Sequence, residues 1–186
     1  MRLVFLGPPG AGKGTQAKLL AEECALLHLS TGDMLRSAVE RKTETGLLAK
    51  GYMDKGKLVP DEVVDALVAE RLREDDTAGG YILDGYPRNL AQAEALARVL
   101  EKTPLDGVLF LAVADDELVQ RLLQRGQGRA DDTEDVIRKR LAVYKAHTSP
   151  LVDHYRKLAL LREIDGHGSI GQVRLAVRAS AEELVA

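Results

Sequence analysis

The 186-residue chain is long enough for one domain with room for an inserted subdomain, and its 45% apolar and 30% charged residues suit a globule with a sizeable core. A net charge of −3 does not favour general nucleic-acid binding. The sole cysteine, Cys24, excludes an internal disulfide and a zinc site built from several thiolates, and reads as a small buried hydrophobe on the first helix.

A strand at Arg2–Leu6 runs into Gly7-Pro8-Pro9-Gly10-Ala11-Gly12-Lys13-Gly14-Thr15, and a helix follows to about Glu23. Glycines let the backbone approach an anion and adopt positive φ. The helix beginning near Lys13 turns its positive dipole end toward the same place, and Lys13 adds a full charge. Strand, Gly-x4-Gly-Lys and helix together predict a bound nucleoside triphosphate. Gly14 departs from the Ser or Thr that usually follows the lysine; Thr15 comes one place later.

Leu26–Leu29 reads as a second strand, and Ser30-Thr31-Gly32-Asp33 as a turn and cap for a helix to about Arg41. The stretch from Thr43 to Lys57, punctuated by Gly46, Gly51 and Gly56, predicts another short helix. Pro60 forbids helix before it, and Asp61 is expected to cap a helix from Val63 to Arg73. Residues 30–59 thus form a helical insertion between two elements of the main sheet. After a turn at Asp75–Gly80, a third strand at Tyr81–Leu83 ends at Asp84-Gly85. A helix from Asn89 to about Glu101 places residues 90, 93, 96, 97 and 100 on one apolar face.

A fourth strand at Val108–Val113 and a helix over Asp115–Gln124 lead to the glycine-hinged loop Arg125–Arg129. Thr133 then starts a long helix to about His147, which Pro150 breaks; a fifth strand spans Leu158–Ile164, and a last helix begins at Ser169 after the turn at Asp165–Gly168. Alternating strands and helices with near-continuous apolar strands predict an α/β fold with a parallel sheet covered on both faces. No apolar run approaches the roughly 18 residues of a membrane span. The N-terminus enters a strand and the phosphate loop directly, so no signal peptide is expected and the cytoplasm is the expected location.

Asp84 ends a strand beside the phosphate loop, where an acidic residue commonly meets the magnesium shell. Gly85 after it argues against the Asp-Glu pair with which many ATP hydrolases activate water. Arg121 and Arg125 share a helix face, Arg129 lies in the hinged loop and Arg140 follows on the next helix, an arrangement suited to a closing lid whose guanidinium forks match a transferring phosphoryl group. Arg36 and Arg88 each lie just beyond a strand's carboxyl end and predict a second phosphate opposite the first. The four histidines show no metal spacing and read as structural or surface residues.

Residues 7–16, His-Leu-Ser-Thr-Gly-Asp-Met-Leu-Arg at 28–36, Gly-Lys-Leu-Val-Pro-Asp-Glu at 56–62, Leu-Asp-Gly-Tyr-Pro-Arg at 83–88 and Arg-Ala-Asp-Asp at 129–132 resemble the adenylate kinases of short-lid type, in the family's order and spacing. The resemblance implies a P-loop kinase domain over 1–186, with a core of 1–29, 60–124 and 136–186, a nucleoside-monophosphate-binding insertion at 30–59 and a lid at 125–135. It implies reversible transfer of the terminal phosphoryl group of MgATP to AMP, giving two ADP. Gly10, Ala11, Gly12, Lys13, Gly14 and Thr15 are then expected at the ATP phosphates, with Arg125, and the Gly168 backbone at the ATP adenine. Thr31, Arg36, Lys57, Leu58, Val59, Gly85, Tyr86, Pro87, Arg88 and Gln92 are expected at AMP, and Arg121, Arg125, Arg129 and Arg140 over the phosphates. Catalysis is expected of Lys13, Arg88 and those four lid-side arginines; magnesium is expected through waters held by Asp84 and Asp33, with no zinc. Nucleotides are the expected partners, without nucleic acid or membrane, and a monomer is expected.

A UMP/CMP kinase of the same fold is the nearest alternative; Thr31 and Gln92 favour adenine over it. A guanine-nucleotide switch would need Asn-Lys-x-Asp, but the only asparagine, Asn89, precedes Leu90. A non-catalytic nucleotide sensor is disfavoured by the full set of phosphate-facing arginines.

Overall fold

In the computed structural model, which describes residues 1–124 and 133–184, the strands β1 (Arg2–Leu6), β2 (Leu27–Ser30), β3 (Tyr81–Asp84), β4 (Gly107–Ala112) and β5 (Leu161–Asp165) pair in parallel in the order β2-β3-β1-β4-β5. The apolar runs of β1, β3 and β4 are buried on both sides because each strand alternates between two helical layers, whereas the edge strands β2 and β5 are only partly buried. Leu3 and Phe5 of β1 join Ala17, Leu20 and Ala21 of α1 (Lys13–Cys24), Leu118 of α6 (Asp115–Leu123) and Val173 and Val177 of α9 (Ile170–Glu183). Val4 and Leu6 point the other way, toward Val64 and Val68 of α4 (Asp61–Arg71), Ala93 and Leu96 of α5 (Leu90–Val99), and Leu151 and Tyr155 of α8 (Pro150–Lys157). A fully buried aliphatic side chain such as Leu3 or Leu20 contributes roughly 1.5–3 kcal/mol.

From β1 the chain crosses to β2 at one edge of the sheet, whereas β4 and β5 extend the other edge. The carboxyl ends of β1 and β3 therefore open on the crevice where the strand order reverses, the usual ligand position in such sheets. Between β2 and α4 lie α2 (Thr31–Glu40) and α3 (Glu44–Met53). The Ser30 hydroxyl caps α2 by accepting the Asp33 N–H at 3.3 Å, and the Thr43 hydroxyl caps α3 by accepting the Gly46 N–H at 3.1 Å. Gly46 sits so close to the end of α2 that a Cβ would lie 2.1 Å from the Ala38 carbonyl oxygen.

Several features differ from expectation. Pro150 opens α8, where a proline's missing N–H costs nothing; the preceding helix has already passed from α7 (Glu134–Val143) into a π-helical turn at Tyr144–Thr148. Leu158 consequently caps α8, and β5 begins only at Leu161. Asp61 lies inside the first turn of α4 with Pro60 at the cap position, and its carboxylate accepts from Asn89 and Gln92 instead of capping the helix. On α5 the buried stripe contains Gln92 with Ala93, Leu96 and Leu100, while Leu90 and Ala97 face outward. Cys24 is half-buried.

Candidate active site

Two adjoining cavities open at the carboxyl ends of the strands, one of about 590 Å³ and one of about 150 Å³. Lys13, Arg36, Arg88 and Arg140 border both, so four cations from four elements form a shared wall. Glycine-rich backbone supplies the larger cavity's floor: Gly10, Ala11, Gly12, Gly14 and Thr15 all border it. Gly12 holds φ at 93° at the cap of α1, which directs the helix N-terminus inward. Lys13 Nζ donates to the carbonyls of Gly7 at 2.8 Å and Pro8 at 2.9 Å, keeping its charge folded over the loop.

Across the larger cavity, Arg121 donates to Glu117 Oε1 at 2.8 and 2.5 Å and to the Gly166 carbonyl at 2.9 Å. Gly168 borders the same space. Asp84, also on its lining, is buried, which opposes ionisation; the His28 hydrogen bond and the charges of Lys13 and Arg88 outweigh this and hold its carboxyl below the ordinary range. His28 Nε2 lies 3.4 Å from Asp84 Oδ2, and as the carboxylate only accepts, the imidazole donates. Asp33 borders the cavity too, its Oδ1 accepting from Arg36 Nη2 at 2.6 Å.

An ionised carboxylate on the wall of the cavity that Thr15 also borders suits a magnesium ion. Among the described residues no three or more His, Cys, Asp or Glu side chains group as metal ligands.

The smaller cavity is bordered by Thr31, Lys57, Leu58, Val59, Gly85, Pro87 and Gln92 in addition to the shared cations. The Gly85 carbonyl accepts from Thr31 Oγ1 at 3.0 Å and from Arg88 Nε at 2.7 Å, which orients the guanidinium. The Arg88 carbonyl accepts from Thr148 Oγ1 at 2.7 Å, tying the loop to the π-helical turn. Tyr86 borders neither cavity: it is buried in the core, and its hydroxyl is 2.6 Å from Asp65 Oδ1 and 3.2 Å from the Gln92 carbonyl. Burial, then Asp65, pushes that hydroxyl well above the usual tyrosine range. Its contribution is to hold the loop.

Of the residues expected from sequence, the fold brings together Lys13, Arg36, Arg88, Arg121 and Arg140 with both carboxylates. Arg125 and Arg129 lie outside the described residues. The cavity residues that sequence reasoning does not reach include Glu117, His28 and Thr148. Glu117 could have been found from its i, i+4 spacing to Arg121. His28, read as structural or surface, in fact borders the larger cavity, and Thr148 carries no local signature.

A sequence model of the family described as Adenylate kinase matches residues 5–160 of the chain. The chain is 51% identical to an adenylate kinase of a Mycobacterium species over 93% of its length and 94% of the relative's. It is 50% identical to one of Prochlorococcus marinus over 96% of each chain. With adenylate kinase 1 of a Nostoc species it shares 50% identity over 96% of its length and 97% of the relative's.

Proposed function

From the premise that the chain belongs to the adenylate kinase family, we propose how its residues carry out reversible phosphoryl transfer between ATP and AMP, giving two ADP. The observation that supports this reading is the shared wall of Lys13, Arg36, Arg88 and Arg140 between two cavities. A wall common to both spaces can neutralise two anionic nucleotides at once and set their phosphates in line.

We assign the larger cavity to ATP, with Gly10 to Thr15 around its phosphates, Arg121 and Arg125 beside them and the Gly168 backbone near the adenine. The smaller cavity takes AMP, with Thr31, Lys57 to Val59, Pro87 and Gln92 toward the nucleoside and Arg36 and Arg88 on its phosphate. In this reading residues 30–59 are the AMP-binding insertion and 125–135 the lid bringing Arg129, on a core of 1–29, 60–124 and 136–186. Asp84 and Asp33 would hold a magnesium ion through waters, and that ion would supply neutralisation of the phosphate charge.

A phosphate monoester has its second pKa near about 6, so AMP arrives ionised at neutral pH and needs no general base. Catalysis is then positioning and charge stabilisation by the guanidinium forks. Closure over the reacting groups excludes water, which would otherwise accept the phosphoryl group. No helix among the described residues is long and apolar enough to cross a membrane, and we take the protein to act as a cytoplasmic monomer.

The test is ADP formation from MgATP with AMP, CMP, UMP and GMP in parallel. Strong preference for AMP is expected. Preference for another monophosphate overturns the substrate assignment, and absence of transfer to all four overturns the reading.

A further inference from the structure

Gln92 is only 2% exposed, yet it carries a polar amide on the border of the smaller cavity. Both ends of that amide are tied. Its Oε1 accepts the Arg88 main-chain N–H at 2.7 Å, and its Nε2 donates to Asp61 Oδ1 at 2.7 Å. Chemistry forbids the flipped arrangement: an N–H can only donate and a carboxylate can only accept, so turning the amide would set oxygen against carboxylate and NH₂ against N–H. Asp61 is itself fixed, since Asn89 Nδ2 donates to both its oxygens at 2.9 Å. Asn89 Oδ1 in turn accepts the Gln92 N–H at 2.9 Å, so the carboxylate and the start of α5 lock one another.

A side-chain amide has two N–H groups and two carbonyl lone pairs. One of each is committed here, leaving one donor and one acceptor in a fixed order. That order matches a 6-aminopurine, which offers a donating amino group beside an accepting N1. A 6-oxopurine offers the reverse, an accepting oxygen beside a donating N1–H, and would be matched only by the flipped amide.

We infer that Asp61 is a specificity-positioning residue: by locking the Gln92 amide in one orientation, it makes the acceptor site select 6-amino over 6-oxo purine monophosphates. This rests on the assignment of the smaller cavity to AMP. Asp61 touches no substrate in this scheme and acts through Gln92. Discrimination built on committed hydrogen bonds is strong because the wrong base leaves buried polar groups unpaired.

The test compares kcat/KM for AMP with that for inosine monophosphate. Asp61→Ala removes the acceptor and frees the NH₂ end; the AMP preference is expected to fall by roughly tenfold, the size of one hydrogen bond to a charged group. Asp61→Asn removes the charge but keeps an acceptor oxygen, and should retain most of the preference. Asn89→Ser preserves the helix cap while releasing Asp61, and should shift the ratio the same way by a smaller factor; it carries the test if Asp61→Ala does not fold. An unchanged ratio in folded Asp61→Ala, or in Asn89→Ser should it stand alone, overturns the inference, as does an equal loss in Asp61→Asn and Asp61→Ala. Gln92→Leu separates the two levels: if it keeps the parent AMP preference, Gln92 does not read the base and the cavity assignment itself is at fault.

Discussion

An Arg88→Lys variant is expected to keep the parent fold and lose turnover by a factor on the order of 10² to 10³. Arg88 borders both cavities, and its Nε is held by the Gly85 carbonyl at 2.7 Å, so the planar fork is fixed in one orientation at the wall the two cavities share. Lysine would restore the charge but not the fork: its ammonium is a compact point charge on a flexible stem and cannot span two phosphoryl oxygens. The loss should fall mainly on kcat, because the charge that binds the ground state survives while the geometry that matches the transition state does not. Thermal unfolding of the variant checks the fold, and single-turnover rates check chemistry against product release. A rate within a few-fold of the parent would remove Arg88 from its assigned role.

Gly85→Ala carries the second large effect. Gly85 holds φ at 82°, and a Cβ there would lie 2.9 Å from Thr31 Oγ1 and 3.2 Å from the Arg88 guanidinium. The substitution places an L-residue in the left-handed region, costing about 1–2 kcal/mol, and pushes aside two side chains assigned to the acceptor. KM for AMP is expected to rise by roughly tenfold or more, the scale of one lost or misplaced hydrogen bond to a charged group, with a smaller change in KM for ATP. Equal shifts in the two KM values would mean that the Gly85 turn serves the larger cavity as much as the smaller.

What could be read from sequence was what local chemistry dictates. The phosphate loop and its helix are written in consecutive residues, and the strands β1, β3 and β4 are apolar enough to be recognised within a residue or two at each end. The two-sided burial of β1 follows from the same run. Cations from distant segments were identifiable because each stands just beyond a strand or on a helix face, although only the fold shows Arg36, Arg88 and Arg140 on one wall with Lys13.

What escaped depends on tertiary partners. Pro150 is ambiguous in isolation, since a proline ends one helix as readily as it begins another. Apolar periodicity placed Leu90 and Ala97 inward, whereas α5 buries Gln92, whose amide is satisfied by Asp61 and the Arg88 N–H. Asp61 resembles a cap because Asp commonly is one, but its oxygens accept from the side chains of Asn89 and Gln92 instead. Tyr86 lies between loop residues that border the smaller cavity, yet it turns into the core and meets Asp65. Polar contacts such as these join residues 21 to 31 apart and leave no periodic trace in the chain.

The claim underlying every assignment is that both nucleotides sit on the shared cationic wall at the same time and that the phosphoryl group passes directly between them. Initial rates with ATP and AMP varied together test it. Double-reciprocal lines that intersect are predicted, as required when donor and acceptor must both be bound before transfer. Parallel lines would indicate a covalent phosphoenzyme formed before AMP binds and would contradict the two-cavity mechanism.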